Sequence, residues 1–133
     1  MNAESTNAQP AAGMVLIVDD EELVREVVSD ILDSNGIVCI AASGGTEAIR
    51  LFAERSSEIK VVLLDLTMPG MSGEETFAQL KAIDPKANIV LSSGYSEAEV
   101  RAKFASHGGV SGFIQKPYQS ETLVNKLSGY FMQ

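Results

Sequence analysis

Short, continuously apolar runs alternate with amphipathic stretches of helical length from residue 14 onward, and this alternation limits the possible folds more than any other feature. A run without polar alternation is typical of a strand buried on both faces of a parallel sheet. Parallel neighbours must be joined by crossovers, which the helical stretches can supply. The five runs are residues 15–18, 37–42, 61–64, 89–91 and 113–114.

A helical stretch follows each of the five runs. The first repeats apolar residues at steps of four (Leu23, Val27 and Ile31) and stops at Asn35-Gly36, a common C-terminal signal. Further helices are predicted over residues 46–55, 73–83, 98–107 and 120–132. Five strand–helix units with right-handed crossovers predict an α/β fold: a doubly wound, five-stranded parallel sheet with five helices in a three-layer sandwich.

The composition fits a single domain, which we place at residues 14–133 of the 133-residue chain. Residues 1–13 are polar and lack the apolar centre of a signal peptide, so we interpret them as a disordered segment or linker. No apolar run reaches membrane-spanning length, and we expect a cytoplasmic protein.

The net charge of -8 disfavours direct binding to nucleic acid or to an anionic membrane. The single cysteine, Cys39, lies in an apolar run and is predicted to be a small buried hydrophobe.

Polar or charged residues end four of the five predicted strands, and these ends meet at one edge of such a sheet. Asp19-Asp20 follow the first strand, Asp65 the third, Ser92-Ser93 the fourth and Lys116 the fifth. Three carboxylates at one edge repel one another, and a hard divalent cation relieves that repulsion. A site with few protein ligands suits Mg²⁺ better than Ca²⁺. Lys116 could reach an anion bound beside Asp65.

Each of these residues also has an ordinary structural explanation. Asp19 and Asp20 can cap the first helix and complement its dipole, while Asp65 and Ser93 can act as turn residues. Lys116, which precedes a proline, can be a solvated loop lysine. The convergence of all of them at one edge favours the functional interpretation.

Four segments, in this order and at these spacings, resemble the receiver domain of two-component response regulators. They are VLIVDDEE at 15–22, LLDLTMPGMSG at 63–73, VLSSGYSE at 90–97 and SGFIQKPY at 111–118, and the resemblance covers residues 14 to 132. It implies a flavodoxin-like fold and a signalling phosphoprotein of a two-component phosphorelay, not an enzyme with a free substrate. Its phosphodonor would be a histidine kinase or a histidine phosphotransfer domain, and phosphorylation would switch the binding of a downstream protein. The fourth-strand segment is more similar to hybrid-kinase receivers than to those of transcription factors.

The resemblance also implies roles for individual residues in the chemistry. Asp65 matches the phosphoacceptor, a nucleophile that attacks a phosphohistidine or a small acyl phosphate. The implied Mg²⁺ site consists of Asp20 as direct ligand, Asp19 acting mainly through water, Asp65, and the backbone carbonyl of Thr67. Lys116 matches the residue that pairs with a phosphoryl oxygen, and its bond to Pro117 is expected to be cis.

The implied switch residues are Ser93 and Phe113. Ser93 matches the hydroxyl that moves to the phosphoryl group, although relatives often have threonine there. Phe113 matches the aromatic switch position, but it cannot donate the hydrogen bond that a tyrosine would. Thr67 and Tyr95 lie where relatives tune the lifetime of the aspartyl phosphate. We therefore expect the phosphorylation chemistry to follow the family closely. The coupling between phosphorylation and partner binding is expected to follow it less closely.

Two other phosphate-related functions are disfavoured. A haloacid dehalogenase-like phosphatase needs a second aspartate two residues after the nucleophile, where this chain has Thr67. The flavin site of a flavodoxin needs hydroxyl and glycine residues in the first loop, and the Asp-Asp-Glu-Glu at 19–22 would repel the cofactor phosphate. A receiver-like interaction module that acts without phosphorylation remains open, as does the choice between a stand-alone regulator and a piece of a larger protein.

Overall fold

Each apolar run forms a strand, and each amphipathic stretch forms a helix. The computed structural model describes residues 13–67, 71–107 and 110–132. In chain order its elements are β1 (Met14–Val18), α1 (Glu22–Ser34), β2 (Cys39–Ala42), α2 (Gly45–Arg55), β3 (Ile59–Asp65), α3 (Gly73–Ile83), β4 (Ile89–Ser93), α4 (Glu97–Phe104), β5 (Gly112–Gln115) and α5 (Ser120–Ser128).

The five strands form one parallel sheet in the order β2-β1-β3-β4-β5. This is the doubly wound, flavodoxin-like arrangement that was predicted, and it brings the carboxyl ends of all strands to one edge. The interior strand β1 is buried along its whole length, which explains its unbroken apolar sequence. β2 lies at the edge of the sheet beside β1, and Cys39 on this strand is partly exposed, whereas the sequence predicted a buried residue. Burial still raises the pKa of its thiol.

Side chains alternate between two apolar cores, one on each face of the sheet. The α1–α5 cluster lies beneath α1 and α5 and contains Val15, Val90 and Leu123. The α2–α3–α4 cluster lies on the opposite face and contains Leu64 and Leu91. In the latter, the rings of Phe77 and Phe104 meet edge to face, with centroids 5.1 Å apart. These two cores hold the sheet rigid beneath its functional edge.

Several predicted boundaries differ from the observed ones. β2 begins at Cys39 rather than residue 37, because the amide of Ile37 closes the end of α1 by donating to the Leu32 carbonyl at 2.9 Å. Gly36 supplies the positive φ of 74° that this cap requires.

The last two helices are shorter than predicted. α4 ends at Phe104 and α5 at Ser128, and each continues as a short 3-10 turn, Ala105–His107 and Gly129–Met132. Residues 108–109 lie outside the described residues, as do residues 1–12 of the segment 1–13 that was predicted to be disordered or a linker. Within the described ranges, no helix combines the length and apolarity needed to cross a bilayer.

Candidate functional site

Three carboxylates meet at the carboxyl edge of the sheet. Asp19 and Asp20 follow β1, and Asp65 ends β3, the strand that pairs with it. One oxygen from each lies within 4.8 Å of the others. Asp19 and Asp65 are buried, with 3% and 2% exposure, whereas Asp20 is exposed. The structure therefore brings these three predicted site residues together. We call this cluster, with Lys116, the acidic site.

Lys116 provides the positive charge of the acidic site. Its Nζ lies 3.0 Å from Oδ2 of Asp19 and 3.3 Å from Oδ1 of Asp65. Burial disfavours its charged form, but the hydrogen bond that Lys116 donates to Asp19 and the charges of both carboxylates outweigh burial and raise the pKa of Lys116. The peptide bond to Pro117 is cis, as expected. With all groups ionised, one ammonium faces three carboxylates, and two negative charges remain unbalanced.

Asp65 is held by the turn that follows β3. Its Oδ1 accepts hydrogen bonds from the backbone N–H of Thr67 at 3.2 Å and from the Thr67 hydroxyl at 3.1 Å. Burial raises the pKa of Asp65, although the Thr67 amide and the charge of Lys116 oppose this; the charge of Asp19 raises it further. The charged form of Asp65 therefore lacks full compensation from the protein itself.

The loop after β1 is fixed by two contacts to Asp19. The Glu21 amide donates to Oδ1 of Asp19 at 2.9 Å, and the Arg25 guanidinium donates to the Asp19 carbonyl at 2.8 Å. Sequence reasoning missed Arg25. The available signal was its position as the sole basic residue in the acidic segment 19–26, one turn into α1.

Ser93 and Phe113 lie on the opposite face of the sheet from the α1–α5 cluster. The fully buried Ser93 hydroxyl accepts from the Tyr95 amide at 2.9 Å, so it points into the loop after β4. Phe113 is only 6% exposed and packs in the α2–α3–α4 cluster, in register with Leu91. The role of Phe113 as a switch residue stays a prediction, and in this structure its ring already lies in the core. A phenylalanine ring has no hydroxyl that needs a hydrogen-bond partner, so it can be buried here without a polar contact.

Ser92, the other half of the Ser-Ser pair, has no assigned role. It is 1% exposed, and its Oγ has no hydrogen-bond partner among the described residues. An unsatisfied buried hydroxyl of this kind costs about 1–3 kcal/mol. The residue pairs across the sheet with Asp65, so this cost falls directly beside the acidic site.

The family model for the response regulator receiver domain matches residues 15–128 of the chain. The chain belongs to this family. The receiver domain is 32% identical over 118 residues to the chemotaxis protein CheY of Bacillus subtilis, covering 88% of this chain and 96% of the relative. It is 31% identical over 109 residues to the sensor kinase CckA of Brucella abortus, covering 82% of this chain but 11% of that protein.

Solved structures agree with this assignment. The CheX-CheY-BeF3-Mg complex from Borrelia burgdorferi superimposes with a TM-score of 0.82 at 27% identity, covering 91% of this receiver domain and 90% of the matched chain. A response regulator receiver domain from Clostridium thermocellum gives a TM-score of 0.81 at 25% identity, covering 90% and 94%. Both findings support the flavodoxin-like fold.

The acidic site of this receiver domain opens to solvent through a shallow depression. Asp20, Glu21, Thr67, Gly94, Tyr95 and Lys116 line it, and Asp65 forms part of its floor. Tyr95, with 60% of its surface exposed, stands at the rim. Closely spaced carboxylate oxygens that the protein only partly neutralises suit a hard divalent cation.

An apolar groove runs beside this depression, between α1 and the loop after β5. Its apolar lining comes from Leu23, Val24, Val27, Val28, Pro117 and Tyr118. Leu23 and Val27 are 71% and 49% exposed, unusual values for large apolar side chains on one helix face. Glu21 and Lys116 line both the groove and the depression, so the two are continuous.

Proposed function

We propose that this receiver domain accepts a phosphoryl group on Asp65 from the phosphohistidine of a histidine kinase or a histidine phosphotransfer domain, with Mg²⁺ bound at the acidic site, and then changes its affinity for a downstream protein. The observation that carries the proposal is the meeting of three carboxylates, two of which, Asp19 and Asp65, lie 3.0 and 3.3 Å from the Lys116 ammonium. We place this reaction in the cytoplasm.

The metal would be held by the carboxylates of Asp19, Asp20 and Asp65 and by the backbone carbonyl of Thr67. The closely spaced oxygens and the unbalanced negative charge fit this donor set. When bound, the ion neutralises charge that accumulates on the phosphoryl oxygens. The exposure of Asp20 keeps one ligand at the solvent side, where an ion can enter.

The transfer itself requires one bond to form and one to break. An oxygen of the Asp65 carboxylate attacks phosphorus, the bond from phosphorus to the histidine nitrogen breaks, and the imidazole leaves with the bonding electrons. Lys116 stays positively charged because its pKa is raised, and it pairs with a phosphoryl oxygen as its contact with Asp65 is lost.

Ser93 then supplies the switch. A phosphoryl group on Asp65 offers more acceptor oxygens than Lys116 can satisfy, and Ser93 ends the neighbouring strand β4. Moving this hydroxyl toward Asp65 would break its contact with the Tyr95 amide and shift the loop that leads into α4. Phe113 and α4 share a core, so we propose that the repacking reaches the surface there.

The donor would dock on the apolar groove. Its occupant must present a histidine to Asp65, and the groove is the exposed apolar surface continuous with the acidic site. We therefore propose that a helical phosphohistidine domain covers Leu23 and Val27 of α1.

Intact-mass measurement after incubation with acetyl phosphate and Mg²⁺ tests the acceptor. The parent and the control Asp30→Asn, an exposed carboxylate of α1, should each gain one phosphoryl group. Asp65→Asn should gain none while keeping a cooperative melting transition. Unchanged labelling of Asp65→Asn would overturn the acceptor assignment, and an unlabelled parent would favour an interaction module that works without phosphorylation.

A further inference from the structure

The proposed reaction leaves the buried hydroxyl of Ser92 unused. Ser92 lies in register with Asp65 of β3 on one side and with Ile114 of β5 on the other. Because side chains alternate along a strand, Ser92 shares its face with Val90 of the α1–α5 cluster, whereas Ser93 shares the opposite face with Leu91. The unpartnered hydroxyl is therefore separate from the Ser93 switch, although both neighbour the acidic site.

Tyr118 lies on the same face as Ser92. It packs against the α1–α5 cluster, lines the apolar groove and follows Lys116 by two residues. Burial raises the pKa of the Tyr118 phenol. The positive charge of Lys116 and the Ser92 hydroxyl lower this pKa, whereas the negative charges of Asp19 and Asp65 raise it further. Tyr118 packs against the cluster that contains Ile114, the residue in register with Ser92, so both hydroxyls lie on one face at the carboxyl edge of the sheet, but in this state the Ser92 Oγ lacks the geometry of a hydrogen bond.

We propose that the hydroxyls of Ser92 and Tyr118 form a hydrogen bond as the phosphoryl group is transferred to Asp65, and that this bond holds the turn that carries Lys116, which makes Tyr118 a positioning residue for phosphoryl transfer. This inference rests on the proposed function. At present Lys116 is held by Asp19 at 3.0 Å and Asp65 at 3.3 Å. Once a phosphoryl oxygen replaces those contacts, Lys116 must move, and Tyr118 moves with the same turn.

A purely structural role predicts a different result. If Ser92 only fills space, Ser92→Ala removes an unsatisfied buried hydroxyl and leaves the reaction unchanged. Tyr118→Phe keeps the ring that packs against the α1–α5 cluster and removes only the hydroxyl. The two variants therefore test the same bond from its two ends without emptying the core.

The experiment measures phosphorylation by acetyl phosphate in Mg²⁺ for the parent, Tyr118→Phe, Ser92→Ala and the double variant. Tyr130→Phe is the matched control, because its ring packs against the same cluster while its hydroxyl donates to the Ser111 carbonyl at 3.1 Å. We expect each single variant to lower the maximal rate about two- to tenfold, the factor that one neutral hydrogen bond supplies. The acetyl phosphate concentration that gives half the maximal rate should not change.

Coupling between the two hydroxyls decides the outcome. The double variant should be no slower than the slower single variant, and Tyr130→Phe should match the parent. A parental rate in Tyr118→Phe or Ser92→Ala, additive losses in the double variant, or an equal loss in Tyr130→Phe would each overturn the proposal. A parent that takes up no phosphoryl group would instead overturn the proposed function, and this inference with it.

Discussion

Replacing Asp20 by alanine separates the two opposing effects of the acidic site, repulsion between carboxylates and attraction for a cation. A carboxylate oxygen of Asp20 lies within 4.8 Å of those of Asp19 and Asp65. At that separation two like charges repel by about 3.5 kcal/mol at an effective dielectric constant of about 20 and by about 0.9 kcal/mol in bulk water. Because Asp20 is exposed and Lys116 offsets part of the repulsion, the lower value is the better guide.

Without metal, Asp20→Ala should therefore be more stable than the parent by about 1 kcal/mol, or about 4 °C in melting temperature for a domain of this length. With metal the order should reverse. A ligand at one hundred times its dissociation constant stabilises the folded state by about 2.7 kcal/mol, and the variant should lose most of this gain. Melting curves in EDTA and in Mg²⁺ measure both effects.

Glu26→Ala is the matched control for this experiment, since it removes one exposed negative charge from the nearby helix α1, outside the acidic site. It should keep the full Mg²⁺-dependent rise. An equal rise in Asp20→Ala would refute its role as a ligand. A metal-free variant less stable than the parent would refute the claim that repulsion at this site destabilises the fold.

Two further predictions concern Asp65 and Ser93. Because burial raises the pKa of Asp65, the metal-free folded state binds a proton more readily than the unfolded chain, and its stability falls as the pH rises from about 3.9 through the raised value. Melting in EDTA should thus show Asp65→Asn more stable than the parent at neutral pH, with the difference disappearing near pH 4; a difference independent of pH would contradict this. Beryllofluoride with Mg²⁺ should shift the NMR resonances of α4 and Phe113 in the parent but not in Ser93→Ala. Ser128→Ala, which removes a serine hydroxyl from α5, is the control and should respond as the parent does. Equal shifts in Ser93→Ala would exclude its hydroxyl as the relay.

The sheet could be predicted from the sequence because a strand buried on both faces leaves an unbroken apolar run, as β1 does. The acidic site followed from the same pattern, since polar residues at the ends of parallel strands must meet at one edge. Asp19, Asp65 and Lys116 do meet there. Helix and strand ends were harder to predict, because capping interactions such as the Ile37 amide bond to Leu32 depend on local geometry.

Other features depend on side-chain placement that no periodicity encodes. Phe113 is buried in the α2–α3–α4 cluster, and the Arg25 guanidinium contacts the Asp19 carbonyl across six residues of chain. Ser92 could be placed at the end of a strand, but its lack of a partner could not be predicted. Differences of a few tenths of an ångström in donor–acceptor distance decide whether a hydroxyl makes a hydrogen bond.

The burial of Phe113 limits the proposed phosphorylation switch. Because the ring is already in the core, activation gains little new apolar burial, and its driving force must come from polar contacts at the acidic site. Shifting a two-state equilibrium from 1:99 to 99:1 requires about 5.5 kcal/mol of differential stabilisation. A hydrogen bond to a charged group supplies about 1.5–3 kcal/mol, so two to four such contacts must form in the active state alone. Lys116 already bonds to Asp19 and Asp65, and its new contact replaces old ones. Most of the free-energy difference between the two states must therefore come from the cation, from Ser93 and from donors that have no partner at present. Among the described residues, the buried hydroxyl of Ser92 is such a donor.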